Sequence, residues 1–217
     1  MVYRGGNIMK LYLVRHGETD WNIERRLQGQ VDIPLNDFGK RLAVKTGKGL
    51  ENISFDICFT SPLQRARETA ELILAGRNTP IIDDMRIIEM SFAEWEGRHC
   101  SKERWEVPDS FQKFFDDPAN FEPAPEGESF AQVKERTGAF LRWLYNKEEY
   151  KNANILVTTH GAALAGLINN IKGESLERYW GVGVHKNCAV TEVEVRDLIP
   201  VILSENKVYY DDKVKEW

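Results

Sequence analysis

Leu11–Asn22 reads LYLVRHGETDWN. Leu11, Leu13 and Val14 form a short apolar run, the length of a buried strand. Arg15 and His16 follow at once, and Gly17 breaks the run. In an open α/β sheet, ligands bind at the carboxyl ends of strands. An arginine and a histidine there make a site able to hold an anion and attack it. A basic surface turn is the plainer alternative for Arg-His-Gly alone, and the rest of the chain decides between the two.

The 217 residues suit one sizeable domain. Hydrophobic residues make up 42% and charged residues 29%, an ordinary globular balance. A net charge of −5 disfavours a nucleic-acid partner, which needs a basic face, but suits a small anion in a local basic pocket. Cys58, Cys100 and Cys188 are odd in number and without paired spacing, which points away from a disulfide framework and towards a reducing, cytoplasmic setting. No run reaches the length of a membrane span, and no signal peptide is legible, so no membrane partner is expected. Residues 1–8 read as a loose leader, with Met9-Lys10 a natural start just before the strand.

Further strands are expected at Leu11–Val14, Phe55–Thr60, Pro80–Ile82, Ile155–Thr159, Cys188–Val195 and Pro200–Ser204. Helices are expected over Asp37–Leu50 behind an Asn36 cap, from Ser61-Pro62 onward with the serine as cap, over Glu128–Tyr145, and over Ala162–Ile171 closed by Gly173. Residues 92–126 mix Phe92, Trp95, Trp105, Phe111, Phe114, Phe115 and Phe121 with prolines and charges, and read as a small cap insertion. Trp95 and these cap aromatics read as packing rather than substrate contacts. The alternation predicts an α/β fold: a three-layer α/β/α sandwich with a mostly parallel sheet.

Two strands end in histidine-glycine, His16-Gly17 and His160-Gly161, and parallel strands would bring both rings to one sheet edge. His99 and His185 read as structural or surface residues. Arg15-His16-Gly17-Glu18-Thr19 with Trp21-Asn22 resembles the signature of the histidine phosphatase superfamily, which includes the cofactor-dependent phosphoglycerate mutases. The resemblance extends through Arg25, Gln28-Gly29, Asp32 and Pro34-Leu35, then Thr60 to Ala66, then Glu89 with Phe92 and Glu94-Trp95-Glu96-Gly97, then Thr159-His160-Gly161. It implies His16 as the nucleophile, Glu89 as general acid and base, and Arg15, Arg65 and His160 as further catalytic residues. It also implies a phosphate site of Arg15, Asn22, Gln28, Gly29, Arg65, His160 and Gly161.

The chemistry suits those residue types. A transferring phosphoryl group spreads negative charge over three oxygens, and arginine forks match them. His16 must be neutral to attack, while a protonated His160 would add charge against the dianion. Arginines and histidines neutralise that charge themselves, so no metal and no cofactor is expected. Glu94 and Glu96 lie close enough in sequence to rival Glu89. Ala93 departs from the family's usual glycine, so the local turn is expected to differ. The stretch after Glu89 lacks the mutases' longer basic segment and resembles the phosphatase branch. The expected activity is hydrolysis of a small phosphorylated metabolite, metal-independent and through phosphohistidine. A phosphoglycerate mutase and a non-catalytic phosphate-binding module remain the rival readings, and the sequence assigns no oligomeric state.

Overall fold

The computed structural model describes residues 7–214. Its strands are β1 (Ile8–Arg15), β2 (Ile57–Thr60), β3 (Ile81–Asp83), β4 (Asn154–Thr159), β5 (Val190–Arg196) and β6 (Ile199–Lys207), and its helices are α1 (Asp20–Ile23), α2 (Asp37–Gly49), α3 (Gln64–Ile73), α4 (Lys113–Asp116), α5 (Phe130–Tyr145) and α6 (Gly161–Lys172). They form one six-stranded sheet in the order β3-β2-β4-β1-β5-β6. β1 to β4 pair in parallel, and β5 and β6 add an antiparallel edge.

Strand alternation sorts the core into two faces. Met9, Leu11 and Leu13 with Ile155 and Val157 pack under Phe140, Leu141 and Leu144 of α5 and Leu164, Leu167 and Ile168 of α6. Tyr12, Val14, Cys58 and Leu156 pack on the other side against Leu42 and Ala43 of α2 and Ala70 and Ile73 of α3. Each large side chain fully buried this way contributes about 1.5–3 kcal/mol. The sheet flanked by helices on both faces is the expected α/β arrangement.

Register decides where the site lies. Arg15 stands opposite Thr159, and Thr60 opposite Thr158. The three neighbouring strands therefore stop level, and His16, Ser61 and His160 leave them side by side. Backbone bonds extend the ladder into those residues, from His16 N to Thr159 O (2.8 Å) and from Ser61 N to Thr158 O (3.0 Å).

Several boundaries differ from the sequence reading. Ile8 pairs with Arg196 and Met9 is buried in the core, so the first strand opens inside the expected leader; residues 1–6 lie outside the described residues. The helix expected from Ser61-Pro62 begins only at Gln64, with no side-chain cap at Leu63. The Ser61 hydroxyl accepts from Leu63 N (3.3 Å) and also meets His160 Nε2 (2.7 Å). α5 starts at Phe130 behind a capping box of Ser129 and Gln132, and Glu128 points its carboxylate to Arg136 instead. Asn36 caps α2 and left-handed Gly173 (φ +64°) closes α6, as expected. α2 continues through Gly47, where a Cβ would lie 2.6 Å from Ile73 O, so helix α3 approaches where only glycine fits.

Residues 92–126 supply no strand to the sheet. They form short helical turns whose rings cluster edge to face. Phe114, for example, lies 5.4 Å from Phe92, 5.4 Å from Phe121 and 5.0 Å from Trp180, centroid to centroid. This second apolar cluster rests on Phe130 and Val133 of α5 and on Ala162 and Ala165 at the start of α6.

Candidate active site

Arg15 is the last residue of β1 and is buried. One guanidinium nitrogen, Nη1, donates to the His185 carbonyl at 2.6 Å, while its Nε finds no partner. His16 follows, with its Nδ1 2.6 Å from the Gly17 carbonyl. A carbonyl only accepts, so Nδ1 carries the proton and Nε2 of the neutral ring keeps its lone pair. Arg65, in the first turn of α3, is fully buried and donates to Gly29 O (2.7 Å) and Val31 O (2.9 Å), again with Nε left over. His160 ends β4. Its Nε2 meets Ser61 Oγ at 2.7 Å, its Nδ1 has no partner, and its ring lies 5.1 Å from that of His16.

Glu89 arrives on an irregular segment after β3. Its carboxylate accepts from Met90 N (2.9 Å), Ala163 N (3.0 Å) and Ala162 N (3.3 Å). The last two belong to the first turn of α6, whose free N–H groups and dipole favour a carboxylate. A Cβ on Gly161 would lie 3.6 Å from Glu89 Oε2 and 3.9 Å from Arg15 Nε, so this glycine sits between the acid and the arginine. Gly29 has φ +52° and a Cβ there would fall 2.0 Å from Glu96 Oε1. Only glycine serves at that turn, which presents its carbonyl to Arg65.

One cavity gathers Arg15, His16, Asn22, Gln28, Gly29, Arg65, Glu89 and Gly161. The sequence profile described as the histidine phosphatase superfamily (branch 1) matches residues 11–207. The chain belongs to that superfamily. It is similar to the uncharacterized phosphatase PhoE of Bacillus subtilis, at 35% identity over 74% of this chain and 76% of that one. It is also similar to the adenosylcobalamin/alpha-ribazole phosphatase of Escherichia coli, at 33% over 83% and 87%. The solved structure of YhfR from Bacillus stearothermophilus superimposes with a TM-score of 0.85 at 34% identity, covering 92% of this chain and 97% of the other.

In this member of the superfamily the site's electrostatics follow from burial. Desolvation, then the charges of Arg65 and Arg15, press His16 well below the ordinary histidine value. Desolvation, then Arg65 and His16, do the same to His160. Both shifts favour neutral rings in the free protein, the form in which His16 can attack. Burial also lowers Arg15 and Arg65 to about 10, against the pull of Glu89, and leaves both charged at neutral pH.

Not every predicted residue reaches the cavity wall in the expected way. His160 is fully buried behind it rather than on it. The Asn22 carbonyl is held by Thr19 N (3.0 Å) in a reciprocal cap of α1, which leaves the amide nitrogen as the group to offer an anion. Gln28 lines the cavity with its Oε1 unpartnered. Glu94 and Glu96 do not line it. Glu96 accepts from Gln30 N (2.9 Å), Val31 N (3.0 Å) and Phe92 N (3.1 Å), so it ties the Gly29 loop to the next segment.

Trp95 is packed, and Phe92, Phe114 and Phe115 belong to the same packed cluster while also lining the cavity. Arg26, Leu27, Trp180 and Val184 line it too, and no reading of the sequence had marked them. An unperiodic stretch gives no signal for which ring faces inward. His99 is structural, its Nδ1 bonded to Glu24 O (2.9 Å). His185 is buried, and its carbonyl anchors Arg15. Among the described residues no cluster of three or more metal-ligating side chains occurs, and no helix is long and apolar enough to cross a membrane.

Proposed function

We propose that this protein is a phosphomonoesterase that works through phosphohistidine on His16. The observation that carries the reading is a set of three buried nitrogens without partners: Arg15 Nε, Arg65 Nε and His160 Nδ1. Buried polar groups are almost always satisfied, and two buried guanidiniums demand an anion. A phosphate dianion supplies the missing acceptors. In this reading Ser61 Oγ donates to His160 Nε2, and the Nδ1 proton goes to a phosphate oxygen. Asn22, Gln28, Gly29 and Gly161 shape the rest of the cradle.

His16 Nε2 attacks phosphorus in line and the ester P–O bond breaks, as Glu89, protonated in the substrate complex, gives its proton to the departing alkoxide. Glu89 then takes a proton from the water that attacks phosphohistidine, and phosphate leaves. Arg15 and Arg65 hold the equatorial oxygens through both steps. The segment 92–126 caps this site over the single domain. Three free, buried thiols, Cys58, Cys100 and Cys188, support a reducing compartment such as the cytoplasm. The substrate is a small phosphorylated metabolite.

Brief exposure to labelled substrate is expected to give an acid-labile, alkali-stable phosphoprotein, and His16→Ala to abolish both label and turnover. A label that survives in that variant places the nucleophile elsewhere, with His160 the first to test. Conversion of phosphoglycerates in the presence of a bisphosphoglycerate primer, without phosphate release, would assign a mutase instead.

A further inference from the structure

We infer that the alcohol half of the substrate is apolar and ring-bearing, an aryl or arylalkyl group, and that small phosphorylated acids are poor ligands. This rests on the phosphatase reading of the site. Arg15 and Arg65 are committed to the phosphoryl group. The one further cation on the cavity wall is Arg26. It is already paired, Nε to Glu24 Oε2 at 2.5 Å, with its guanidinium 5.7 Å over the Trp21 ring. A substrate carboxylate would therefore meet a cation whose charge Glu24 already offsets.

The remaining wall is carbon. Leu27, Phe92, Phe114, Phe115, Trp180 and Val184 form it. Trp180 has one polar atom, and its Nε1 already donates to Phe114 O at 2.6 Å. That bond also locks the two rings 5.0 Å apart at 65° and joins α4 to the loop after α6. Next to it, the Tyr179 hydroxyl donates to Ala162 O at 3.0 Å and fixes the same loop to the first turn of α6. The wall is thus formed before any ligand arrives, which spares a ligand the ordering of those rings. A hydroxyl or carboxylate set against it gives up water and gains no bond. A phenyl ring gains burial worth about 10–100-fold in affinity.

Three phosphonates that cannot turn over test this on the intact protein by titration calorimetry. Propylphosphonate is the reference, 3-phenylpropylphosphonate adds a ring at the third carbon, and 3-phosphonopropionate has a carboxylate there. The phenyl compound is expected to bind about 10–100-fold more tightly than the reference, and the carboxylate compound no more tightly than it. Phe115→Ser, a half-buried residue of the cap, should collapse the phenyl advantage while the melting temperature stays within a few degrees. The inference is overturned if the carboxylate compound binds as well as the phenyl one, if the phenyl compound does not bind, or if a folded Phe115→Ser keeps the full advantage. Phosphate release from 2-phenylethyl phosphate, scored separately, reports on the enzymatic reading. Binding preference without release would sink that reading and sustain this one, whereas release with no preference would do the reverse.

Discussion

Ala93 holds φ at +48°, in the left-handed region that suits glycine. A residue with a Cβ costs about 1–2 kcal/mol there. The turn is nonetheless kept, because it returns the Glu96 carboxylate to Phe92 N and to the backbone of Gln30 and Val31. Ala93→Gly removes the strain but loosens the unfolded chain by about 0.4–1 kcal/mol. A net gain of about 0.5–1 kcal/mol is expected, read as a higher urea midpoint at unchanged m-value; a lower midpoint would show that the alanine methyl contributes packing that outweighs its strain. The sequence marked this position through the resemblance alone, since nothing local distinguishes an alanine that must turn left-handed. That Arg15, His16, Arg65 and His160 gather at one sheet edge was legible for a different reason. Each stands at a strand end or in the first turn of a helix, where residue type and place together imply chemistry. Phe114, Phe115 and Trp180 were not, because their direction is set by contacts between segments far apart in the chain.

Elements with a strong period were read to within a few residues, and the chief miss at a helix start has a physical cause. Ser61 looks like a helix cap and does accept from Leu63 N (3.3 Å), but the same hydroxyl also meets His160, and regular α3 begins three residues later. The segment bearing Glu89 has no period at all and is held from outside. Arg136 of α5 donates to Arg86 O (3.0 Å) and Ile88 O (2.6 Å), and pairs through Nε and Nη2 with Glu128. Glu128 in turn accepts from Ser91 N (2.9 Å). The clamp grips the chain on both sides of Glu89. If Glu89 is the general acid, Glu89→Gln should slow enzyme phosphorylation by alkyl phosphates about 10²–10⁴-fold and by p-nitrophenyl phosphate far less, because phenolate leaves without a proton. Arg136→Gln should copy that pattern at about 10-fold, since a misplaced acid keeps part of its effect. Rapid-mixing measurement of the burst with both substrates separates the cases. Equal loss with both would make Arg136 a support of the fold and not a positioning residue for Glu89.

Across the whole molecule, a net charge of −5 surrounds a pocket in which two guanidiniums and two imidazoles are buried together. That arrangement ties stability to pH. Burial lowers His16 and His160 well below 6.5, and burial, opposed by Glu205, lowers His185 to about 4. Below about pH 6.5 the unfolded chain binds protons at these three rings that the folded chain refuses. Stability is therefore full above that pH and falls as pH drops towards the folded values. Each ring contributes up to about 1.4 kcal/mol per pH unit, so the three together give at most about 4 kcal/mol per unit between pH 6 and 5. Phosphate in the site changes two of the three most. An anion beside His16 and His160 offsets the guanidinium charges that repel a proton there, while at His185 Arg15 is a lesser influence than burial and Glu205. Urea midpoints taken between pH 7 and 5 should thus fall steeply without phosphate and less steeply at saturating phosphate, with a higher midpoint at every pH. The same slope with and without the ion would mean that phosphate binds away from both imidazoles, and the anion site built on Arg15, Arg65 and His160 would fall with it.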